Sequence, residues 1–259
     1  MPATPAWPPQ STPRLFVETA LSQGVQLRVE GPQAHYLIAV MRMKPGDPVK
    51  LFDGESGEWL GIAIAVNKRD LMLDVTELLR EREAVPDLWL CAAPLKKGRI
   101  DWMAEKACEL GVARLVPVVM RRSVVERPKT ERLRAHMIEA AEQCGRTAVP
   151  DLAETVKLPA LLREWPAGRT LFFADETGGE PAFEAMRARS GPAAILIGPE
   201  GGFDAEEREA IRAVPGAVGI SLGPRILRAD TAAAAAISLW MAAAGDWCQP
   251  TPQPGGGVS

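Results

Sequence analysis

Two short stretches of this chain hold residues that could work on a ligand: Gly198-Pro-Glu-Gly-Gly202 and, further on, Arg225-Ile-Leu-Arg228-Ala-Asp230. Each follows an apolar run, breaks it with glycine and leads into a helical pattern. A loop that cradles polyphosphate needs converging backbone N–H groups, commonly followed by a lysine and a hydroxyl residue. Here there is no Gly-Lys-Ser/Thr and no G-x-G-x-x-G, and Glu200 would repel phosphate. A cationic or zwitterionic ligand fits better, with the glycines letting backbone approach it closely. A tight strand-to-helix turn is the competing structural reading. In the second stretch Ile226 and Leu227 lie between two guanidinium groups, so apolar side chains could wall an adenine. An arginine there could meet an RNA phosphate or a base carbonyl. Asp230 precedes an alanine-rich helix, where capping the helix is its structural alternative.

The elements that must position these loops follow from hydrophobic patterning. Runs at 88–93, 114–119, 170–175, 193–198 and 217–222 are short and almost wholly apolar, as in strands covered on both faces. They alternate with helical spacings. One is Ile100, Met103, Ala104, Ala107, Cys108 and Leu110, with Gly111 as the expected C-cap. Another spans about 130–145 and ends at Gly145. Asp204 and Glu207 form a capping pair for a helix at 205–213. This pattern predicts a parallel α/β sheet with both loops at one rim, where such sheets bind ligands. Before it, 15–17, 25–29, 49–53, 58–66 and 71–75 read as short strands of a small antiparallel barrel, with a helix at 33–43. Residues 80–86 read as a linker. The helix from Thr231 to Ala244 has side chains small enough for close backbone approach, within the fold or across a dimer interface. The Pro/Gly-rich tail from Gln249 reads as disordered.

Composition narrows the class. A chain of 259 residues with 47% hydrophobic and 24% charged residues has the make-up of a globular protein. No apolar run is long enough to span a bilayer, and the proline-rich start lacks a signal core, so a cytoplasmic location and no membrane partner are expected. Cys91, Cys108, Cys144 and Cys248 are widely spaced, with no C-x-x-C pair, and only two histidines are present. Neither a disulfide framework nor a metal site is expected. The net charge is −3, yet it is unevenly distributed: residues 94–146 hold twelve Lys/Arg against seven Asp/Glu, and residues 147–259 hold nine against fourteen. Such a split can leave a basic face on an acidic protein; an uneven solvated surface is the plainer alternative. Lys96-Lys97-Gly98-Arg99 and Arg121-Arg122 both follow expected strands, on the same rim as the loops. Arg146 would, on the plainer reading, stabilise the end of a helix.

Taken together, the chain resembles the RsmE-type 16S rRNA (uracil-N3)-methyltransferases of the SPOUT class. The matching pieces run in order: Pro13-Arg-Leu-Phe-Val, His35 through Arg42 to Lys44-Pro-Gly-Asp, Lys97-Gly-Arg-Ile-Asp-Trp-Met-Ala-Glu-Lys-Ala-Cys-Glu-Leu-Gly-Val, Arg122-Ser, Glu139 to Arg146, Ile197 to Phe203, and Leu222 to Ala232. They cover about residues 13 to 245. The resemblance implies a PUA-like β-barrel that grips RNA (1–82), then a SPOUT parallel-sheet domain with a trefoil knot (83–246), with 247–259 left as the tail. It implies S-adenosylmethionine as methyl donor, 16S rRNA or the small ribosomal subunit as substrate, and a homodimer. Where the family usually has glutamate, this chain has Asp230, a carboxylate drawn back by one methylene.

On that basis the cofactor residues are expected to be Leu196, Gly198, Glu200, Gly201, Leu222, Gly223, Ile226 and Leu227. Arg14, Arg42, Lys96, Lys97, Arg121, Arg122 and Arg146 are expected to contact RNA. The uracil imide must lose its proton to attack a methyl-bearing sulfonium. Arg228 is the expected cation beside the developing negative charge, and Asp230 or Glu200 the expected proton acceptor, made more basic by burial. Methylation at C5 would need a cysteine nucleophile, typically in a Pro-Cys context that this chain lacks. A ribose 2′-O-methyltransferase and a non-catalytic RNA-binding assembly factor are the alternative readings.

Overall fold

The computed structural model describes residue 8 and residues 11–248, so nearly all of the expected tail lies outside the described residues. The chain forms two compact units, one of residues 1–84 with 141–149 and the other of residues 85–140 with 150–259.

The first unit is built on a five-stranded sheet of β1 (Arg14–Phe16), β2 (Gln26–Val29), β3 (Pro48–Phe52), β4 (Glu58–Val66) and β5 (Leu71–Arg80), in the order β1-β3-β4-β5-β2. Three of its pairings are antiparallel, as expected, but β1 runs parallel to β3. The helix expected at 33–43 is only α1 (Gly31–His35), which widens into a π turn over Tyr36–Val40. Arg42 then takes a left-handed backbone at φ 56°, which terminates the turn. Alternating burial in β2 and β5 sends Leu27, Val29, Leu71, Leu73 and Val75 into one core with Leu37, Val49 and Leu51.

The expected linker is pinned rather than free. Arg82 Nε donates to the Gly54 carbonyl at 2.7 Å, and Glu83 takes Arg146 Nε at 2.9 Å and has its own amide bonded to Thr147 Oγ1. These contacts explain why 141–149 belong with the first unit.

The second unit holds β6 (Leu88–Ala92), α2 (Arg99–Glu109), β7 (Arg114–Val119), α3 (Thr130–Cys144, shared with the first unit), β8 (Asp151–Leu152), β9 (Val156–Lys157), α4 (Leu158–Arg163), β10 (Thr170–Ala174), β11 (Glu180–Pro181), α5 (Ala182–Arg187), β12 (Ala193–Ile197), α6 (Ala205–Arg212), β13 (Ala217–Ser221) and α7 (Ala229–Ala243). Its strands run β11-β13-β10-β12-β6-β7-β8, every pairing parallel, with β9 also on β7. The five long strands lie where the apolar runs put them.

Both sheet faces are covered. Cys91, Val116, Leu171, Phe173, Ala194 and Leu196 pack in one cluster with Leu158 of α4 and Ile211 of α6. On the other face α7 packs on β6, β12, α2 and α5. Its residues Ala233, Ala236, Ile237 and Met241 are buried there, so the close approach expected of this helix is realised within the fold. At the N-terminal edge of the sheet, Arg169 is bidentate to Asp87 at 2.8 Å, donates to the Ala193 carbonyl and lies 3.9 Å over the Trp89 ring. That edge is stapled, which leaves the opposite edge for loops.

Candidate active site

Three loops meet at the C-terminal edge. β10 lies between β12 and β13, pairing with both, so the two glycine loops share one edge but are not on neighbouring strands. The loop after β10 therefore stands between them. It had no part in the expected site. A cavity of about 210 Å³ opens at this edge. Asp175, Glu176 and Gly178 of the β10 loop line it, with Gly198, Glu200, Gly202 and Phe203 of the β12 loop and Leu222, Gly223, Arg225, Ile226 and Leu227 of the β13 loop.

Of the expected cofactor residues, Gly198, Glu200, Leu222, Gly223, Ile226 and Leu227 line this cavity; Leu196 and Gly201 do not. Leu196 alternates to the opposite side of β12 and is fully buried in the cluster beneath α4 and α6, leaving its neighbour Ile197 to reach the cavity. Gly201 turns outward, and its carbonyl accepts Arg122 Nη1 at 2.5 Å.

The expected catalytic residues divide. Glu200 lines the cavity with its side chain 38% exposed and Arg99 Nη1 at 3.6 Å, so it lacks the burial expected of a proton acceptor. Arg228 is the N-cap residue of α7, exposed, between the cavity-lining Leu227 and Ala229, and its guanidinium has no partner among the described residues. Asp230 is not the N-cap. It stands one residue inside the helix, partly exposed, and its Oδ1 accepts the Thr231 amide at 2.9 Å.

The β10 loop owes its shape to Asp175. This carboxylate is buried, with Oδ1 taking Thr177 N, Thr177 Oγ1 and Arg208 Nε and Oδ2 taking Arg212 Nη2 at 2.6 Å. Burial alone would raise its pKa; hydrogen bonds from Thr177 and Arg212 and the charge of Arg208 outweigh it and hold the group below the ordinary 3.8. Glu176 follows, ion-paired with Arg208 Nη2 at 3.2 Å. The signal that could have found this loop is Asp175-Glu-Thr-Gly-Gly179 directly after a buried strand: an acidic, glycine-containing break of the same kind as the other two.

The β12 loop turns through a Pro199 carbonyl bonded to Gly202 N at 2.8 Å, with Gly202 in the left-handed region at φ 67°. A β-carbon there would also overlap the Glu176 carboxylate, so glycine is required twice over. The expected capping pair at α6 forms, Asp204 Oδ1 accepting Glu207 N at 2.7 Å and Glu207 Oε2 accepting Asp204 N.

The residues expected on RNA also divide. Arg14 is nearly buried and ion-paired to Glu58. It donates to the carbonyls of Ala141, Glu142 and Arg146 and stacks over Phe52 at 4.3 Å. Arg146 is buried against Glu83. Each is engaged by partners within the first unit. A guanidinium with several donors suits a buried helix end better than a lysine would, and sequence does not reveal which arginines are spent this way. Arg121 pairs with Asp204 and Glu206, and Arg122 holds Gly201, so both are engaged with the β12 loop and α6. Lys96 and Lys97 are exposed beside Gly98, whose amide is fixed by Asp101 Oδ2 at 2.9 Å. Arg42 is exposed in the first unit.

Among the described residues no group of His, Cys, Asp and Glu could hold a metal ion, and no helix is long and apolar enough to cross a membrane. Cys91 lies inside β6, where burial pushes its thiol up to about 12 against the lowering charges of Arg169 and Arg114, so it offers no nucleophile.

Comparison with known proteins agrees with this geometry. Residues 81–241 match the family described as the RNA methyltransferase domain, and residues 29–75 match the RNA methyltransferase PUA domain. The chain is 28% identical over 230 residues to the ribosomal RNA small subunit methyltransferase E of Rickettsia conorii, covering 87% of this chain and 93% of that one. It is 30% identical to the protein of the same name from Synechocystis, covering 80% of this chain and 69% of that one. A crystal structure of the ribosomal RNA small subunit methyltransferase E of Neisseria gonorrhoeae bound to S-adenosyl methionine superposes with a TM-score of 0.82 at 26% identity, covering 91% of this chain and 99% of that one. The parallel sheet, the loops at its C-terminal edge and these matches agree: the chain belongs to the RNA methyltransferase family, alongside proteins named ribosomal RNA small subunit methyltransferase E.

Proposed function

We propose that this protein transfers a methyl group from S-adenosylmethionine to N3 of a uridine in 16S rRNA. The observation that carries this reading is the lining of the cavity at the C-terminal edge. Two exposed-side carboxylates, Glu176 and Glu200, and a single cation, Arg225, share it with apolar Leu222, Ile226 and Leu227. That donor set disfavours a polyphosphate and suits an adenosyl group carrying positive charge. Gly223 fits the same ligand, since its backbone is left-handed at φ 102° and the space a side chain would fill is open. When bound, S-adenosylmethionine supplies an electrophilic methyl on a sulfonium.

The chain's own residues do the rest. Leu222 and Leu227 wall the purine and exclude water from it, with Ile226 at the open mouth. Arg228, with no partner among the described residues and set between two cavity-lining residues, offers its guanidinium to the oxygen where negative charge gathers as the imide N–H is lost. Asp230, two residues further on, takes that proton, or the more exposed Glu200 across the cavity relays it to water. Lys96, Lys97 and Arg42 are the exposed cations left to meet phosphates. Holding the uracil and the methyl in line contributes several kcal/mol to lowering the barrier. A threaded, knotted path for the final segment and a cytoplasmic location belong to the same reading.

A second copy of the chain is the proposed partner. Ile226, on the cavity loop, is 95% exposed, which is unusual for an isoleucine and is the kind of surface a second copy would cover. Sedimentation equilibrium at micromolar concentration is expected to give twice the 27.9 kDa of one chain; a mass of one chain would remove the dimer.

The activity is tested on the RNA itself. Nucleoside mass spectrometry of 16S rRNA from cells lacking this protein is expected to show the loss of N3-methyluridine, restored by the intact gene. Loss of a 2′-O-methylated nucleoside instead would support the ribose reading. An unchanged nucleoside profile would leave a binding factor.

A further inference from the structure

Three carboxylates reach the cavity, and they are not equivalent. Both carboxylate oxygens of Asp175 are engaged from within, by Thr177, Arg208 and Arg212, and its side chain has no exposure. Glu200 is drawn toward Arg99. Glu176 is different: Oε1 takes Arg208 at 3.2 Å, Oε2 has no partner among the described residues, and the side chain is 48% exposed at the cavity wall. Its carboxylate lies against the bare α-carbon of Gly202, in the volume that any side chain at 202 would take. The second glycine of the Gly-Gly pair thus makes room for an acid from a different strand. Arg208, only 14% exposed, is braced by Asp175 and keeps Glu176 in place.

We propose that Glu176 is a specificity-determining residue that reads the positive charge of the methyl donor, through the free edge of its carboxylate over Gly202. The inference rests on the S-adenosylmethionine reading above and adds to it the group that distinguishes this donor from an uncharged adenosyl compound. One neutral replacement keeps the shape and removes the charge: Glu176→Gln. The donor carries two cations, the sulfonium and the α-ammonium. S-adenosylhomocysteine retains only the ammonium, and 5′-methylthioadenosine has neither.

Titration calorimetry of the full chain with all three compounds is the test. Glu176→Gln is expected to weaken S-adenosylmethionine about 10-fold or more, the scale of one charge-assisted contact. Binding of 5′-methylthioadenosine is expected to stay unchanged, which also shows that the variant is folded. S-adenosylhomocysteine weakened equally would assign Glu176 to the ammonium; S-adenosylhomocysteine unaffected would assign it to the sulfonium. The inference is overturned if S-adenosylmethionine binds the variant as tightly as the native chain, or if all three compounds weaken together. If the native chain binds none of them, it is the cofactor reading that fails.

Discussion

A chain carrying Arg228→Ala is expected to bind S-adenosylmethionine with native affinity and to lose about 10²-fold or more of its turnover, the usual cost of removing one donor aimed at developing charge. The geometry separates the two effects. Leu227 and Ala229 line the cavity and Arg228 does not, so truncating it leaves the wall of the pocket in place. Nor does it unseat α7, because the Arg228 side chain makes no capping hydrogen bond and its backbone carbonyl accepts the cap bond from Ala232 N at 2.8 Å. The change in stability should stay within about 0.5 kcal/mol, as for other surface substitutions away from special features. Single-turnover methylation beside calorimetric cofactor affinity checks the claim. Arg228→Lys, which keeps the charge but not the planar fork, should recover part of the rate. If affinity and rate fell together by the same factor, Arg228 would be shaping the loop and the charge-stabilising role would be wrong.

Arg14→Ala is expected to be the most destabilising single change in the first unit. It leaves the carbonyls of Ala141, Glu142 and Arg146 without that donor, and leaves Glu58, buried at 6% exposure, with Arg80 as its remaining ion-pair partner. Leaving buried acceptors short of a donor costs about 1–3 kcal/mol. Urea unfolding at neutral pH reads that loss directly, and a change below about 1 kcal/mol would refute the role assigned to Arg14.

The same network makes an acid prediction. Burial would raise the pKa of Glu58, but hydrogen bonds from Arg80 and Arg14 and their charges outweigh it, holding the group below its ordinary 4.5. A group whose folded value is depressed stabilises the fold above the unfolded value and loses that contribution as pH falls through the folded one. The first unit should therefore weaken as pH drops below about 4.5, and Glu58→Gln should flatten that part of the profile. An acid limb unchanged in Glu58→Gln would assign the effect to other carboxylates.

Apolar periodicity made the second unit legible at the level of elements. The five long strands, α2 with Gly111 after it, α3 with Gly145 after it and the Asp204–Glu207 cap stand where pattern and capping chemistry put them. Short elements escaped: β8, β9 and β11 have two residues each, too few for any period to show, and α4 and α5 barely exceed one turn. In the first unit helical structure stops at Val40 rather than 43, because apolar spacing carries no mark of a π turn followed by a left-handed arginine.

By itself the sequence determined the two glycine loops, their acidic and apolar character and the strand-to-helix context that puts them at one edge, since these follow from residue types a few positions apart. Which strands are neighbours follows from the packed chain and not from any local stretch of it. Placing β10 between β12 and β13 brought Asp175 and Glu176 to the cavity. Within the first unit, separate long-range contacts engage Arg14 with Glu58 and Arg146 with Glu83. Those outcomes depend on pairings between residues far apart in the chain, and local composition holds no record of them. An arginine reads the same in sequence whether it will meet solvent, a phosphate or the end of a helix.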